Sequence, residues 1–133
     1  PGARGLDLLA DEKMITVLDE SAILRYLLDD ERKKARQVAE VIASGQAYSF
    51  PEVFARVAVT LRDVYQVPRS LISEALLTLL NDISVGEEDI VRYATRLFGT
   101  TLFDYIDCLL VARNHLYEFD VVTFDKPLLK HMM

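Results

Sequence analysis

Four aspartates stand where a folded chain can bring carboxylates together. Asp19 directly follows Met14-Ile15-Thr16-Val17-Leu18, an apolar run rich in β-branched residues that reads as a short strand buried on both faces. Asp125 closes a second such run, Phe119-Asp120-Val121-Val122-Thr123-Phe124. In a parallel sheet the carboxyl ends of the strands share one edge, where open α/β sheets bind their ligands. Asp104 and Asp107 lie three residues apart in a helical pattern and therefore share a helix face. Carboxylates converging at one edge repel one another unless a cation neutralises them. Hard divalent ions such as Mg²⁺ and Mn²⁺ take carboxylate and water oxygens, so the chemistry this pattern suggests is metal-assisted. Each acid also has a purely structural reading. Asp19 or Ser21 can cap the helix that follows, Asp104 can be a first-turn acid favoured by the dipole, and Asp125 can be a turn residue.

The intervening chain supplies the elements that would position these acids. Ala22, Ile23, Tyr26 and Leu27 recur at helical spacing after Asp19. Asp29-Asp30-Glu31-Arg32-Lys33-Lys34 reads as a helix start with acids leading, and Ala35, Val38, Ala39 and Ile42 form its apolar face up to a Gly45 cap. Ala47–Phe50 is short enough for a strand, and Pro51 suits the first turn of a helix reaching Tyr65, with Val53, Phe54, Val57 and Leu61 inward. A further helix places Leu71, Ile72, Ala75, Leu76, Leu79 and Leu80 inward. Asp82–Val85 reads as a third strand, and helices follow from Gly86 to Phe98 and from Leu102 to Glu118. Strands alternating with helices predict an α/β fold with a mostly parallel sheet.

Composition agrees with a single globular domain. The chain has 133 residues, 51% of them hydrophobic and 27% charged, with 5 Gly and 4 Pro. No apolar run approaches the roughly 18 residues of a membrane span, and no signal-peptide apolar region is evident. The lone Cys108 suggests a reducing cytoplasm and a small packed side chain. A net charge of −6 argues against a general polyanion-binding surface, though not against a local basic patch or a metal-mediated contact. Residues 1–13 lack periodicity and read as an N-terminal extension or a remnant of expression, with Met14 a natural start of the domain 14–133; Leu6, Leu8 and Leu9 are able to pack against a neighbour.

Three blocks, taken together, resemble a known family. Val17-Leu18-Asp19-Glu20-Ser21-Ala22-Ile23-Leu24-Arg25-Tyr26-Leu27-Leu28 resembles the opening of the PIN domain, especially in VapC-type toxins. Asp104-Tyr105-Ile106-Asp107-Cys108-Leu109-Leu110-Val111-Ala112 is similar to its third acidic block, and Val121-Val122-Thr123-Phe124-Asp125-Lys126-Pro127-Leu128 to its closing strand and final acid. The resemblance spans Met14 to His131. It implies a three-layer α/β/α sandwich and a Mg²⁺- or Mn²⁺-dependent ribonuclease. Asp19, Asp107 and Asp125 would be its acids and Asp104 an additional one, with Ser21 and Thr123 as hydroxyl neighbours that orient a ligand or its water. It further implies an RNA substrate, a cognate antitoxin whose tail blocks the site, and a homodimer, for which Val53, Leu71 and Leu76 offer apolar surface.

One position departs from the family. Its second acid is a glutamate in a frame like Pro-x-x-x-Ala-Glu-x-x-x-x-Leu, and here Pro51-Glu52-Val53-Phe54-Ala55-Arg56-Val57-Ala58-Val59-Thr60-Leu61 puts Arg56 at that place. Either Glu52, one turn earlier on the same face, takes over as ligand and catalytic acid, or Arg56 pairs with Asp19 or Asp107 and supplies the neutralising charge itself. The second outcome leaves a catalytically impaired interaction module. Among nearby cations, Lys126 or Arg25 would stabilise phosphoryl charge. Lys130 and His131 read mainly as an exposed terminal turn, and His115 as a surface histidine. A phosphatase with Asp19 as nucleophile is disfavoured, because Ser21 stands where its second acid belongs.

Overall fold

The structure is a computed structural model and describes residues 14–133. The extension 1–13, with Leu6, Leu8 and Leu9, lies outside the described residues. Three short strands, β1 (Thr16–Val17), β2 (Ala47–Ser49) and β3 (Ser84–Val85), form a parallel sheet in the order β1-β2-β3. Around it run α1 (Glu20–Leu28), α2 (Arg32–Ala43), α3 (Pro51–Asp63), α4 (Arg69–Leu80), α5 (Glu88–Thr100), α6 (Tyr105–Tyr117) and α7 (Lys126–Met132). The fold is α/β and mostly helical.

Register is set by backbone pairs. Thr16 lies opposite Ala47 and Val17 opposite Tyr48, while Tyr48 lies opposite Ser84 and Ser49 opposite Val85. The Leu18 amide donates to the Tyr48 carbonyl at 2.8 Å, and the buried Ser49 hydroxyl donates to the Leu18 carbonyl at 2.9 Å. Leu18, the residue leading into Asp19, is thus fixed at both its backbone donor and its acceptor. At the end of α2, Gly45 takes a φ of +79°, the left-handed conformation that glycine adopts without penalty.

The core joins Ile23, Phe54, Val57, Leu76, Ile90, Phe98 and Tyr105, with Leu128 of α7 closing it. Two contacts hold α5 in place. A Cβ on Gly99 would lie 2.5 Å from Ser73 Cβ, so the close approach of α4 and α5 requires glycine there. The Thr95 and Tyr105 hydroxyls share a buried hydrogen bond of 2.6 Å between α5 and α6. This partner keeps both polar groups satisfied inside the apolar core.

Several expectations from sequence are corrected. The first strand is not buried on both faces: Val17 is 53% exposed, because it stands in β1 at the edge of the sheet. The run Phe119–Phe124 is not a strand. Its contacts are local to the end of α6: the Phe119 amide reaches the Arg113 carbonyl, and Asn114 donates to the Phe119 carbonyl. No sheet edge satisfies its amides among the described residues, and Phe124 is left 96% exposed. Leu71 faces outward, whereas Leu76 is fully buried and has no surface to offer a second copy. The charged run does not lead with acids inside the helix. α2 begins at Arg32, after an N-cap Glu31 whose side chain makes no capping bond.

Candidate active site

Asp104 and Asp107 open α6, and Asp125 opens α7, which packs against α6. All three line one surface depression of about 360 Å³, together with Leu102, Phe103 and Pro127. Asp107 is the least exposed of the three. Burial raises its pKa above the usual carboxylate value, and the charges of Asp104 and Asp125 raise it further. These carboxylates therefore act on one another although they come from separate stretches of sequence.

Asp19 is not among the residues that line this depression. It caps α1, accepting from the Ala22 amide at 2.9 Å and the Ser21 hydroxyl at 2.7 Å, and these bonds lower its pKa. Both bonds fall on Oδ1, so the second carboxylate oxygen of Asp19 has no hydrogen-bond partner among the described residues. Ser21 holds the Asp19 carboxylate, and Thr123 accepts from the Asp125 amide at 3.1 Å. Asp125 also caps α7 by accepting from the Leu128 amide at 3.0 Å.

Glu52 lines a second, neighbouring depression of about 420 Å³ with Glu20, Arg56, Val59, Thr60 and Ile106. Ile106 adjoins Asp107 in α6. Arg56 pairs with neither Asp19 nor Asp107: its side chain is 76% exposed and reaches Glu20 at 3.2 Å. The physical reason is local, because Glu20 is already oriented by the Thr60 hydroxyl one helical turn along from Arg56. Arg25 is likewise occupied elsewhere, by Asp30 at 3.2 Å, Glu31 at 2.8 Å and the Tyr65 hydroxyl at 3.1 Å. Lys126 and Lys130 are exposed, with no ion-pair partner among the described residues. His131 packs edge-on against Phe103, and His115 stacks on Tyr93. Cys108 is buried, its thiol pushed up to about 12 by desolvation, so it acts as a packed apolar group.

Two arginines matter that sequence reasoning missed. Arg62, at the end of α3, bonds Asp63 at 2.7 Å and Asp104 at 3.3 Å. Arg69 lies over the Phe98 ring at 4.2 Å and donates to the carbonyls of Phe98, Thr101, Leu102 and Phe103. That clamp shapes the loop leading into Asp104. Its sequence signal is a cation at the first position of a helix, where the dipole disfavours positive charge unless it is compensated elsewhere.

Among the described residues, no three carboxylate, imidazole or thiol groups are gathered tightly enough to hold a metal ion as they stand. By donor chemistry Asp104, Asp107 and Asp125 do fit a hard divalent cation, which would offset the burial and relieve the repulsion that together raise Asp107. No family model, curated protein or solved structure matches the chain. No helix of the described residues is long and apolar enough to cross a membrane.

Proposed function

We propose that this chain is a metal-dependent endoribonuclease of PIN-like, three-layer architecture, and the toxin half of a toxin–antitoxin pair. The observation that carries the reading is the convergence of Asp104, Asp107 and Asp125 on one depression, with the Asp107 carboxylate destabilised first by burial and then by the other two charges. Asp107, Asp104 and Asp125, with Asp19 at the end of β1, would hold Mg²⁺ or Mn²⁺. Such an ion supplies a water acidic enough to act as nucleophile near neutral pH, and it stabilises phosphoryl charge. The protein's own part is to position. Ser49 and Tyr48 fix Leu18, Ser21 orients the Asp19 carboxylate, Arg69 shapes the loop before Asp104, and Thr123 fixes the backbone at Asp125. Glu52 is a further acid beside the site, and Lys126, exposed next to Asp125, is the cation best placed to meet a phosphate. A cognate antitoxin segment covering the two depressions, a homodimer and a cytoplasmic location complete the reading.

The second reading is an impaired interaction module of the same kind, and one observation favours it: Arg62 already pairs with one oxygen of Asp104. Cleavage of labelled RNA with and without Mn²⁺, by the wild-type protein and by Asp107→Asn, separates the two. The nuclease reading expects Mn²⁺-dependent cleavage that Asp107→Asn abolishes. RNA left intact by the wild-type protein, alongside an unimpaired fold, assigns the chain to the second. Light scattering that finds a monomer removes the dimer.

A further inference from the structure

A depression between α1 and α2 shares no lining residue with the acidic one. It measures about 540 Å³ and is lined by Tyr26 and Asp29 from the end of α1 and by Arg32 and Arg36 from α2. Arg32 and Arg36 are one turn apart on α2 and so project to one side of it. Both are exposed, and neither they nor Lys33 has an ion-pair partner among the described residues. Of the nearby acids, Asp30 and Glu31 are committed to Arg25, and Glu31 to Lys34 as well, while Glu40, one turn beyond Arg36, forms no ion pair with it. Asp29 is the one carboxylate left on this lining. The helix dipole does not account for Arg32 or Lys33, which occupy the first turn of α2, where it disfavours cations. In a chain of net charge −6, a concave cluster of partnerless guanidinium groups beside a tyrosine ring is an exception that a ligand would explain.

From this geometry we infer that the α1–α2 depression binds single-stranded RNA, with Arg32 and Arg36 on backbone phosphate and Tyr26 against a base or ribose. The inference rests on the nuclease reading and supplies it with a substrate-holding site outside the acidic depressions. Forked guanidinium groups suit phosphate, and a single strand leaves its bases free to meet an aromatic side chain. α1 carries nine residues between its Asp19 cap and its far end, about 13 Å at 1.5 Å rise, so roughly four stacked nucleotides at about 3.4 Å each span the distance from this depression to Asp19.

The test is fluorescence anisotropy of a labelled single-stranded RNA dodecamer, over a salt series and in EDTA so that no cleavage occurs. It compares the wild-type protein with R36Q, R32Q/R36Q and R96Q. Arg96 is an exposed cation on α5 with no ion-pair partner among the described residues, and its variant controls for charge loss alone. We expect R32Q/R36Q to raise Kd about tenfold or more and to flatten the log Kd–log salt slope by about 1.4, two single-strand phosphate contacts at about 0.7 each. R36Q should show about half the change in slope, and R96Q none. Equal affinities across the set, an R96Q effect matching R36Q, a stronger preference for duplex RNA, or no binding by the wild-type protein would each overturn the inference. Binding that behaves as expected in a protein that never cleaves RNA would sustain this site while removing the nuclease reading. Mn²⁺-dependent cleavage with unchanged R32Q/R36Q affinity would do the reverse.

Discussion

The Arg62 guanidinium at the end of α3 lies 3.3 Å from the Asp104 carboxylate at the start of α6. The acidic depression therefore carries a cation of its own, six residues along α3 from the one the sequence singled out. Arg62 is also tied to Asp63 at 2.7 Å, and its partner Asp104 is well exposed, so the pair contributes little to stability, about 0–1 kcal/mol. If the depression takes a divalent ion, the guanidinium competes with it for the Asp104 oxygen it holds. Arg62→Gln should tighten Mn²⁺ binding several-fold in calorimetric titration and leave Tm within a few degrees of the wild-type value. Arg56→Gln, which removes a charge that sits on Glu20, should leave Mn²⁺ affinity nearly unchanged. Identical titrations for Arg62→Gln and the wild-type protein would show that Arg62 does not compete.

Asp107 should show opposite effects on stability and on chemistry. Its pKa is raised first by burial and then by Asp104 and Asp125, so the folded state holds the proton more tightly than the unfolded chain does. The sign follows by linkage: the stability tied to this group is fully present below the unfolded carboxyl pKa and is lost as pH rises through the folded value. Asp107→Asn should thus match the wild-type protein in acid and melt at a higher temperature near neutrality. RNA cleavage by the same variant should fall at least about 100-fold. Parallel losses of Tm and activity would mean that Asp107 serves packing instead.

Arg69 is a structural test of the loop before Asp104. Four carbonyls of residues 98–103 converge on its guanidinium, with the Phe98 ring beneath. Bonds from a charged donor are worth about 1.5–3 kcal/mol each and do not add fully, so Arg69→Met should cost about 2–4 kcal/mol, roughly 10 °C in Tm. A loss of under about 1 kcal/mol would show that water replaces the guanidinium at these carbonyls.

The alternation of apolar runs and helical periodicities is enough to read the three parallel strands and the helices between them. Gly45 and Pro51 mark two of the boundaries correctly, because their backbone preferences act locally. What fails depends on partners. Phe119–Phe124 has the composition of a strand, but a strand forms only where an edge accepts its amides, and no local pattern reports that. Leu71 and Leu76 look alike in the helical repeat; which of them faces the core is set by how α4 meets α5 near Gly99. At the site, Asp104 and Asp107 come together as the sequence pattern suggests, at a helix start, whereas Asp125 joins their depression as the cap of α7 and not as the end of a strand. Arg62 and Arg69 are not legible, since a long cationic side chain chooses its partner from whatever the fold brings within reach.

Asp19 separates capping from chemistry most sharply. Its carboxylate accepts from the Ala22 amide and the Ser21 hydroxyl, and the Ser49 hydroxyl pins the peptide just before it. Asp19→Ala removes the cap and should cost about 0.5–2 kcal/mol. Asp19→Asn retains an acceptor in the same place and should stay within a few tenths of a kcal/mol of the wild-type protein near neutral pH. The lowered pKa of Asp19 fixes the pH behaviour: the stability owed to its charge is present above the unfolded carboxyl pKa and fades as pH falls through the folded one. Any gap in Tm between the wild-type protein and Asp19→Asn should therefore close in acid. Chemistry asks something different of the same side chain, because a neutral amide is a poor ligand for a hard divalent ion. If Asp19 serves the acidic depression, Asp19→Asn should weaken Mn²⁺ binding and RNA cleavage at unchanged Tm, while Asp19→Ala loses all three. Full activity in Asp19→Asn would assign Asp19 to the cap of α1 alone and leave Asp104, Asp107 and Asp125 as the complete acid set.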